Sequence, residues 1–253
     1  MNSNSKKVRI LNSYINPTTF KFLQSKIINW VKEKKGHYIC ISNVHQTIEA
    51  YNHKEFAEIV NNADLAVPDG RPIYWALKLL NYKDTEHLHG HYVTKKLCKF
   101  SSENNIKVGF FGGENKTLNK CISNLKKEFE KLTIGYAYSP PFRTLTNEEK
   151  KEIINNINRS EIEILFVCLG CPKQEFWMAE HKDYLKCTSI GIGAAIEFIS
   201  GKKIVPFKWI TKMGLWWLVR LISEPRRLFW RYFYTNSKFI YLFMKQYFKF
   251  KLK

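Results

Sequence analysis

The sequence predicts an α/β protein: a parallel-sheet core over residues 1–200, followed by a helical appendage over 201–253. Three observations carry this expectation. Short apolar runs alternate with stretches of helical periodicity between residues 17 and 193, the pattern of parallel strands joined by helical crossovers. Polar or glycine-containing turns follow nearly every apolar run. Near residue 200 the composition changes abruptly, and neither a linker nor an internal repeat precedes that point. A chain of 253 residues has room for one large core and such an appendage.

The strands are expected at 37–43 (HYICISN), 64–68 (DLAVP), 107–112 (KVGFFG), 132–138 (LTIGYAY), 163–170 (EILFVCLG) and 188–193 (TSIGIG). Apolar runs this short and this continuous are what buried parallel strands show. Helical patterns fall at about 17–33, 53–62, 71–80, 92–104, 115–130, 147–159 and 172–182. Thr146-Asn-Glu-Glu149 has the form of a capping box, with Glu149 three residues after the cap. The whole reads as a Rossmann-like core. In such sheets ligands sit beyond the carboxyl ends of the strands, so the residues at those ends matter most.

Lysine and arginine number 41 against 22 acids, a net charge of +19. That excess points to a polyanion: nucleic acid, an anionic membrane surface or phosphorylated substrates. An aromatic content of 15% excludes a disordered chain, and only 12 Gly and 8 Pro exclude collagen-like or low-complexity architecture. Between residues 200 and 253 there are 13 lysines and arginines but one acid, Glu224, so +12 of the charge sits there with 15 of the 38 aromatics.

The six cysteines (Cys40, Cys98, Cys121, Cys168, Cys171, Cys187) mostly fall in apolar runs and read as reduced core residues. Cys168 and Cys171 have CxxC spacing, but no second pair completes a zinc site. The N-terminus lacks the apolar segment of a signal peptide, and no run reaches the ~18–20 apolar residues of a spanning helix. The expectation is a protein that is cytoplasmic or lies on a membrane.

Among the strand exits, Asp69 stands out, because the chain has only four aspartates (Asp64, Asp69, Asp84, Asp183). After a strand and before Gly70, its carboxylate could take a proton from a bound hydroxyl. It could equally form an Asx turn or cap the helix at 71–80. No D-x-D occurs, which argues against a metal held by paired carboxylates; neither metal nor cofactor is expected. Gly112-Gly113 ends a strand and opens a helix, where amides could hold a phosphate or simply form a turn. Gly170-Cys171-Pro172-Lys173-Gln174-Glu175 places donors and an acceptor at a helix start, with a solvated helix end as the plain alternative. His87-Leu-His89-Gly-His91 alternates like metal ligands on a strand but lacks a partner of suitable spacing, and reads as a loop.

The appendage reads as two helices, 214–222 and 225–249, broken at Glu224-Pro225. Along the second, Arg227, Arg231, Tyr234, Lys238, Lys245 and Lys249 share one face, while Phe229, Trp230, Phe233, Ile240, Phe243 and Phe250 fill much of the rest. A cationic face beside an aromatic remainder suits an interfacial helix on anionic lipid. Aromatics packed on the core, with solvated lysines, would give the same pattern. No nucleic-acid-binding motif accompanies the charge.

Taken in order, several segments resemble the WecG/TagA/CpsF family of glycosyltransferases, from about residue 38 to residue 239. They are Ser42-Asn43-Val44-His45, Ala63-Asp64-Leu65 with Val67-Pro68-Asp69-Gly70, Gly109 to Gly113, Tyr138 to Arg143, Gly170 to Glu175, and Leu218 through Arg231-Tyr232. The resemblance implies inverting, metal-independent transfer of a sugar from a UDP-linked donor to a polyprenyl-diphosphate-linked saccharide, in surface polysaccharide or wall polymer synthesis. It implies a C-terminal appendage that closes the site and meets the inner face of the cell membrane.

Carried over, Asp69 would be the general base. Asn43, His45, Arg71, Gly112, Gly113, Lys173, Gln174 and Glu175 would bind donor or acceptor, and Arg220, Arg227 and Arg231 the diphosphates. No nucleic-acid partner is implied, and a homo-oligomer stays open, because the aromatics of 228–250 could seal a subunit interface. The chain departs from the family pattern at Gly90-His91-Tyr92 (usually Gly-x-Asp), Ile196-Glu197-Phe198 (usually Phe-Asp-Phe), Lys203-Ile204-Val205-Pro206 (usually basic-Ala-Pro) and Trp216-Trp217 (usually Glu-Trp). A catalytically silent, membrane-bound scaffold of a polysaccharide assembly complex is the alternative these departures raise.

Overall fold

A hairpin opens the chain. Strands β1 (Val8–Ile10) and β2 (Ser13–Ile15) pair antiparallel, and Leu11 takes a left-handed φ of 55° in the turn. The computed structural model describes residues 6–207, 210 and 213–252; residues 1–5, part of the segment where no leader is expected, lie outside it, as do 208, 209, 211, 212 and 253 of the appendage. Six further strands form one sheet: β3 (His37–Ser42), β4 (Leu65–Pro68), β5 (Val108–Phe111), β6 (Ile134–Tyr138), β7 (Ile164–Val167) and β8 (Thr188–Gly191). All pair in parallel, in the order β4-β3-β8-β7-β5-β6. Each lies within a stretch where the sequence predicts a strand.

The crossovers are α1 (Phe20–Glu33), α2 (Val44–Asn52), α3 (Lys54–Asn61), α4 (Arg71–Leu79), α5 (Gly90–Glu103), α6 (Asn115–Glu128), α7 (Asn147–Arg159), α8 (Lys173–His181) and α9 (Ala195–Ile199). Side chains alternate across the pleat, so each strand feeds two cores. Ile39, Ile41, Phe110, Phe166 and Ile190 meet α1, α5, α6 and α9 on one face. Tyr38, Cys40, Phe111, Leu165 and Val167 meet α7 and α8 on the other. The capping box of α7 forms as expected: Thr146 Oγ1 accepts from the Glu149 amide, and the Glu149 carboxylate accepts from the Thr146 amide. The cysteines are free, and all but the half-buried Cys171 are buried.

Helices α10 (Trp216–Ser223) and α11 (Pro225–Lys251) make up the appendage, interrupted at Glu224 as expected. The aromatics of α11 are split between buried and exposed positions. Phe239 and Phe243 are buried in one cluster with Val8, Ile10, Ile15, Val44, Ile48, Ile73 and Leu77, so α11 packs on the hairpin, α2 and α4. Gln246 secures this contact, its Nε2 donating to Arg9 O and its Oε1 accepting from the Leu11 amide, each at 2.8 Å. The opposite face leaves Phe229, Trp230, Phe233, Ile240, Tyr241 and Phe248 exposed. No helix among the described residues is long and apolar enough to cross a membrane.

Candidate active site

Strand pairing places Asp69. The ladder between β3 and β4 continues one residue past Pro68, the Asp69 amide donating to Ser42 O at 2.8 Å. The Leu88 amide then donates to Pro68 O at 2.9 Å, which lays the 87–91 loop beside the strand end. Gly70, at φ 77°, turns the chain into α4, and no side chain caps that helix. The Asp69 carboxylate is thus not spent as a helix cap: Oδ1 accepts the Gly70 N–H at 2.6 Å, and the side chain stays 23% exposed. His87 Nε2 lies 3.6 Å from Oδ1. Burial pushes the Asp69 carboxyl up, but the neighbouring His87 and His89 rings and the Gly70 N–H more than offset it and hold it below its ordinary range.

Asn43 stands next to Gly70, as the N-cap of α2, its Oδ1 accepting from the Gln46 amide at 3.1 Å. His45, half-buried, is pulled down by burial and by the nearby Arg231 charge, and its Nδ1 finds no hydrogen-bond partner among the described residues. Gly112 and Gly113 both have positive φ, and Ser139 Oγ donates to Gly113 O at 2.5 Å. A side chain at Gly112 would strike the backbone of Cys168, so this turn needs glycine for space as well as for backbone conformation.

Lys173 is exposed at the start of α8, whereas Gln174 and Glu175 turn inward. Gln174 Nε2 and Gln46 Nε2 both donate to Glu175 Oε1 at 2.8 Å, and Gln174 Oε1 accepts from the Gly193 amide at 3.0 Å. Glu175 is 0% exposed, and burial raises its carboxyl above the ordinary value. It therefore orients two amides and meets no solvent. Arg71 packs against Gly214, ahead of α10, with its guanidinium 5.7 Å from the Tyr74 ring.

The appendage brings cations to the same edge. Arg231 is pulled down by its own burial and by the charges of Arg220 and Arg227, which together outweigh the support of Tyr232, so Arg231 sits against two other guanidinium groups. Arg227 pairs with Glu224, but Nε of Arg220 and Nε of Arg231 are buried with no hydrogen-bond partner among the described residues. Buried cationic donors left unsatisfied are a strong energetic invitation to an anion.

A buried clasp holds α10 and α11 in this position. Lys203, with its side chain 11% exposed, reaches Glu197 of α9 at 2.5 Å and Glu224 at 2.9 Å. Trp216 adds ring contacts to His89 at 4.8 Å and Phe198 at 5.3 Å. Glu224 is pushed up by burial, yet Arg227 and Lys203 bring it down to about 2. A depressed carboxyl contributes its full stability above its ordinary value of 4.5 and loses it as the pH falls toward about 2. Hydrogen exchange in α10, corrected for intrinsic rates, should rise across that interval, and Lys203→Met should reproduce the rise at pH 7. Protection unaffected by the substitution would show that the clasp does not hold the appendage.

Sequence reasoning did not single out Gln46, Lys203 or His87 as site residues. His87 lies in the H-x-H-x-H alternation, a pattern that suggests metal ligands or a loop and not a partner for a carboxylate. Among the described residues no group of three or more His, Cys, Asp or Glu could hold a metal ion.

A parallel α/β sheet with a carboxylate at its carboxyl edge, and two arginines brought to that edge whose buried Nε atoms lack a hydrogen-bond partner among the described residues, fits an enzyme that handles phosphorylated substrates. The model of the glycosyl transferase WecG/TagA/CpsF family matches residues 8–253, and the chain belongs to this family of glycosyltransferases. It is similar to proteins named N-acetylglucosaminyldiphosphoundecaprenol N-acetyl-beta-D-mannosaminyltransferase. The one from Bacillus spizizenii is 22% identical over 233 residues, covering 92% of this chain and 88% of the relative. The one from Bacillus subtilis is 21% identical over 234 residues, with 92% and 89% covered. That from Staphylococcus aureus is 23% identical over 230 residues, with 89% and 88% covered.

Proposed function

We propose that the protein transfers N-acetylmannosamine from a UDP-linked donor to N-acetylglucosamine carried on a polyprenyl diphosphate, with inversion and without a metal. The sugars and the carrier are those in the names of its relatives. The observation that carries the mechanism is one ionised carboxylate, Asp69, at the sheet edge to which the appendage brings Arg220 and Arg231, each with a buried Nε lacking a hydrogen-bond partner among the described residues. Asp69 takes the proton of the acceptor hydroxyl as its oxygen attacks the anomeric carbon. Glu175 is sealed and Glu197 is held by Lys203, so neither is free to form a glycosyl-enzyme; direct displacement, which inverts, fits this arrangement.

The departing diphosphate gathers negative charge, which Arg220, Arg227 and Arg231 neutralise in the role that a divalent ion fills elsewhere. Asn43 and Gln174 position the substrates, with His45, Arg71, Gly112, Gly113 and Lys173 around them. Residues 1–200 supply the sheet edge, and 201–253 close it. The exposed aromatic face of α11, flanked by cations, suits a peripheral position on the inner, anionic membrane surface, where the lipid-linked acceptor is found.

The test is release of nucleoside diphosphate from a panel of UDP-sugars, with a short-chain prenyl-diphosphate-linked N-acetylglucosamine and EDTA. Acceptor-dependent turnover with UDP-N-acetylmannosamine that survives chelation supports the reading. Turnover lost to EDTA would remove the metal-free mechanism. Absence of turnover with every donor, while the protein still binds anionic vesicles, would favour the silent scaffold.

A further inference from the structure

His87 stands apart from the other histidines of its loop. The bond from the Leu88 amide to Pro68 O fixes the backbone there and sets the His87 ring against the end of β4. The Gly70 N–H is shared: it donates to Asp69 Oδ1 at 2.6 Å and to His87 Nε2 at 3.0 Å. A ring nitrogen that accepts carries no proton, so the neutral imidazole holds its proton on Nδ1. Nε2 and Oδ1 are then two acceptors 3.6 Å apart, with one amide hydrogen between them and no titratable proton. Such a pair is short of one proton.

We propose that His87 receives the proton that Asp69 removes from the acceptor hydroxyl, so that the pair, and not the carboxylate alone, serves as the base. This rests on the reading of Asp69 given above. The acceptor O–H bond breaks as its oxygen bonds to the anomeric carbon, and the electron pair of the old glycosyl–phosphate bond leaves with the diphosphate. The proton goes first to Asp69. The Asp69 O–H bond then breaks as an Nε2–H bond forms on His87, leaving an imidazolium beside a restored carboxylate. The His87 side chain is 13% exposed, which allows water to remove the proton after product release.

The surroundings favour this route. The ring of His89 is 5.3 Å from that of His87, and burial brings His89 down to about 4, as it does His91. Both are neutral at pH 7 and do not oppose a charge on His87. Arg71, whose charge acts on His89, is the cation nearby, and Asp69 is the facing anion.

The experiment uses the full chain and has three arms. Nitrogen-15 NMR of the wild-type protein at pH 7.5 should find His87 Nε2 without a proton; a protonated Nε2 overturns the proposal whatever the activity. His87→Gln keeps an acceptor for the Gly70 amide but cannot take up a proton. It should lower kcat roughly a hundredfold with KM little changed, and imidazole in the buffer should restore part of the rate of His87→Gly. Wild-type turnover in His87→Gln, with an unchanged pH profile, overturns the relay while Asp69→Asn remains inactive and the base stands. Turnover retained in Asp69→Asn overturns the base, and the relay with it.

Discussion

Asp69→Asn should lower kcat by about a thousandfold, equivalent to about 4 kcal/mol of barrier, while the protein stays folded and still binds the nucleotide. The two halves of this expectation have separate causes. The amide oxygen of asparagine can accept the Gly70 N–H as Oδ1 does now, so the turn into α4 survives. The amide has no basic site for the acceptor's proton, so the chemistry does not. No neighbouring acid can substitute. Glu175 is sealed beneath Gln46 and Gln174, Glu197 is bound to Lys203, and Glu49 faces His45 and His53. Because Asp69 lies below its ordinary carboxyl value of 3.8, it is ionised at any pH above that value, and the wild-type rate should not fall through its protonation near neutrality. Rate measurements with matched melting curves check both halves. A variant that keeps its rate would show that the base lies elsewhere.

Legibility in the sequence followed burial. The six sheet strands could be located because parallel strands covered on both faces leave short, nearly unbroken apolar runs. The β1–β2 hairpin could not: its strands are three residues each, and its turn passes through Leu11 and Asn12 without glycine or proline. Helix α2 escaped because it starts directly after Asn43, at the end of β3, where a loop was expected. The positions of Asp69 and Gln174 at the sheet edge followed from strand order alone. Gln46 was invisible because its partner, Glu175, is 129 residues away. Lys203 was likewise unreadable, since its role depends on Glu197 and Glu224 meeting across the junction between core and appendage. For α11 the sequence left two readings open; the helix turns Phe239 and Phe243 inward, as core packing requires, and leaves Trp230 and Phe233 exposed.

Arg231→Gln should reduce kcat/KM by roughly a hundred- to a thousandfold, the usual loss when a donor aimed at developing charge is removed, yet leave the melting temperature unchanged or raise it. Most substitutions of a half-buried residue destabilise. This one should not, because burial and the charges of Arg220 and Arg227 weigh on Arg231 more than its contact with Tyr232 supports it, a cost that an anion between them would offset. Removing one of three crowded charges relieves that repulsion in the free protein, the trade of stability for activity common at binding sites. Arg231→Lys should recover little of the rate, because an ammonium lacks the planar fork that grips two phosphate oxygens together. Kinetics and calorimetry on both variants, with and without UDP, would decide. A lower melting temperature in the absence of ligand, with activity falling only in proportion to the folded fraction, would make Arg231 a structural residue and remove the arginine cluster from the chemistry.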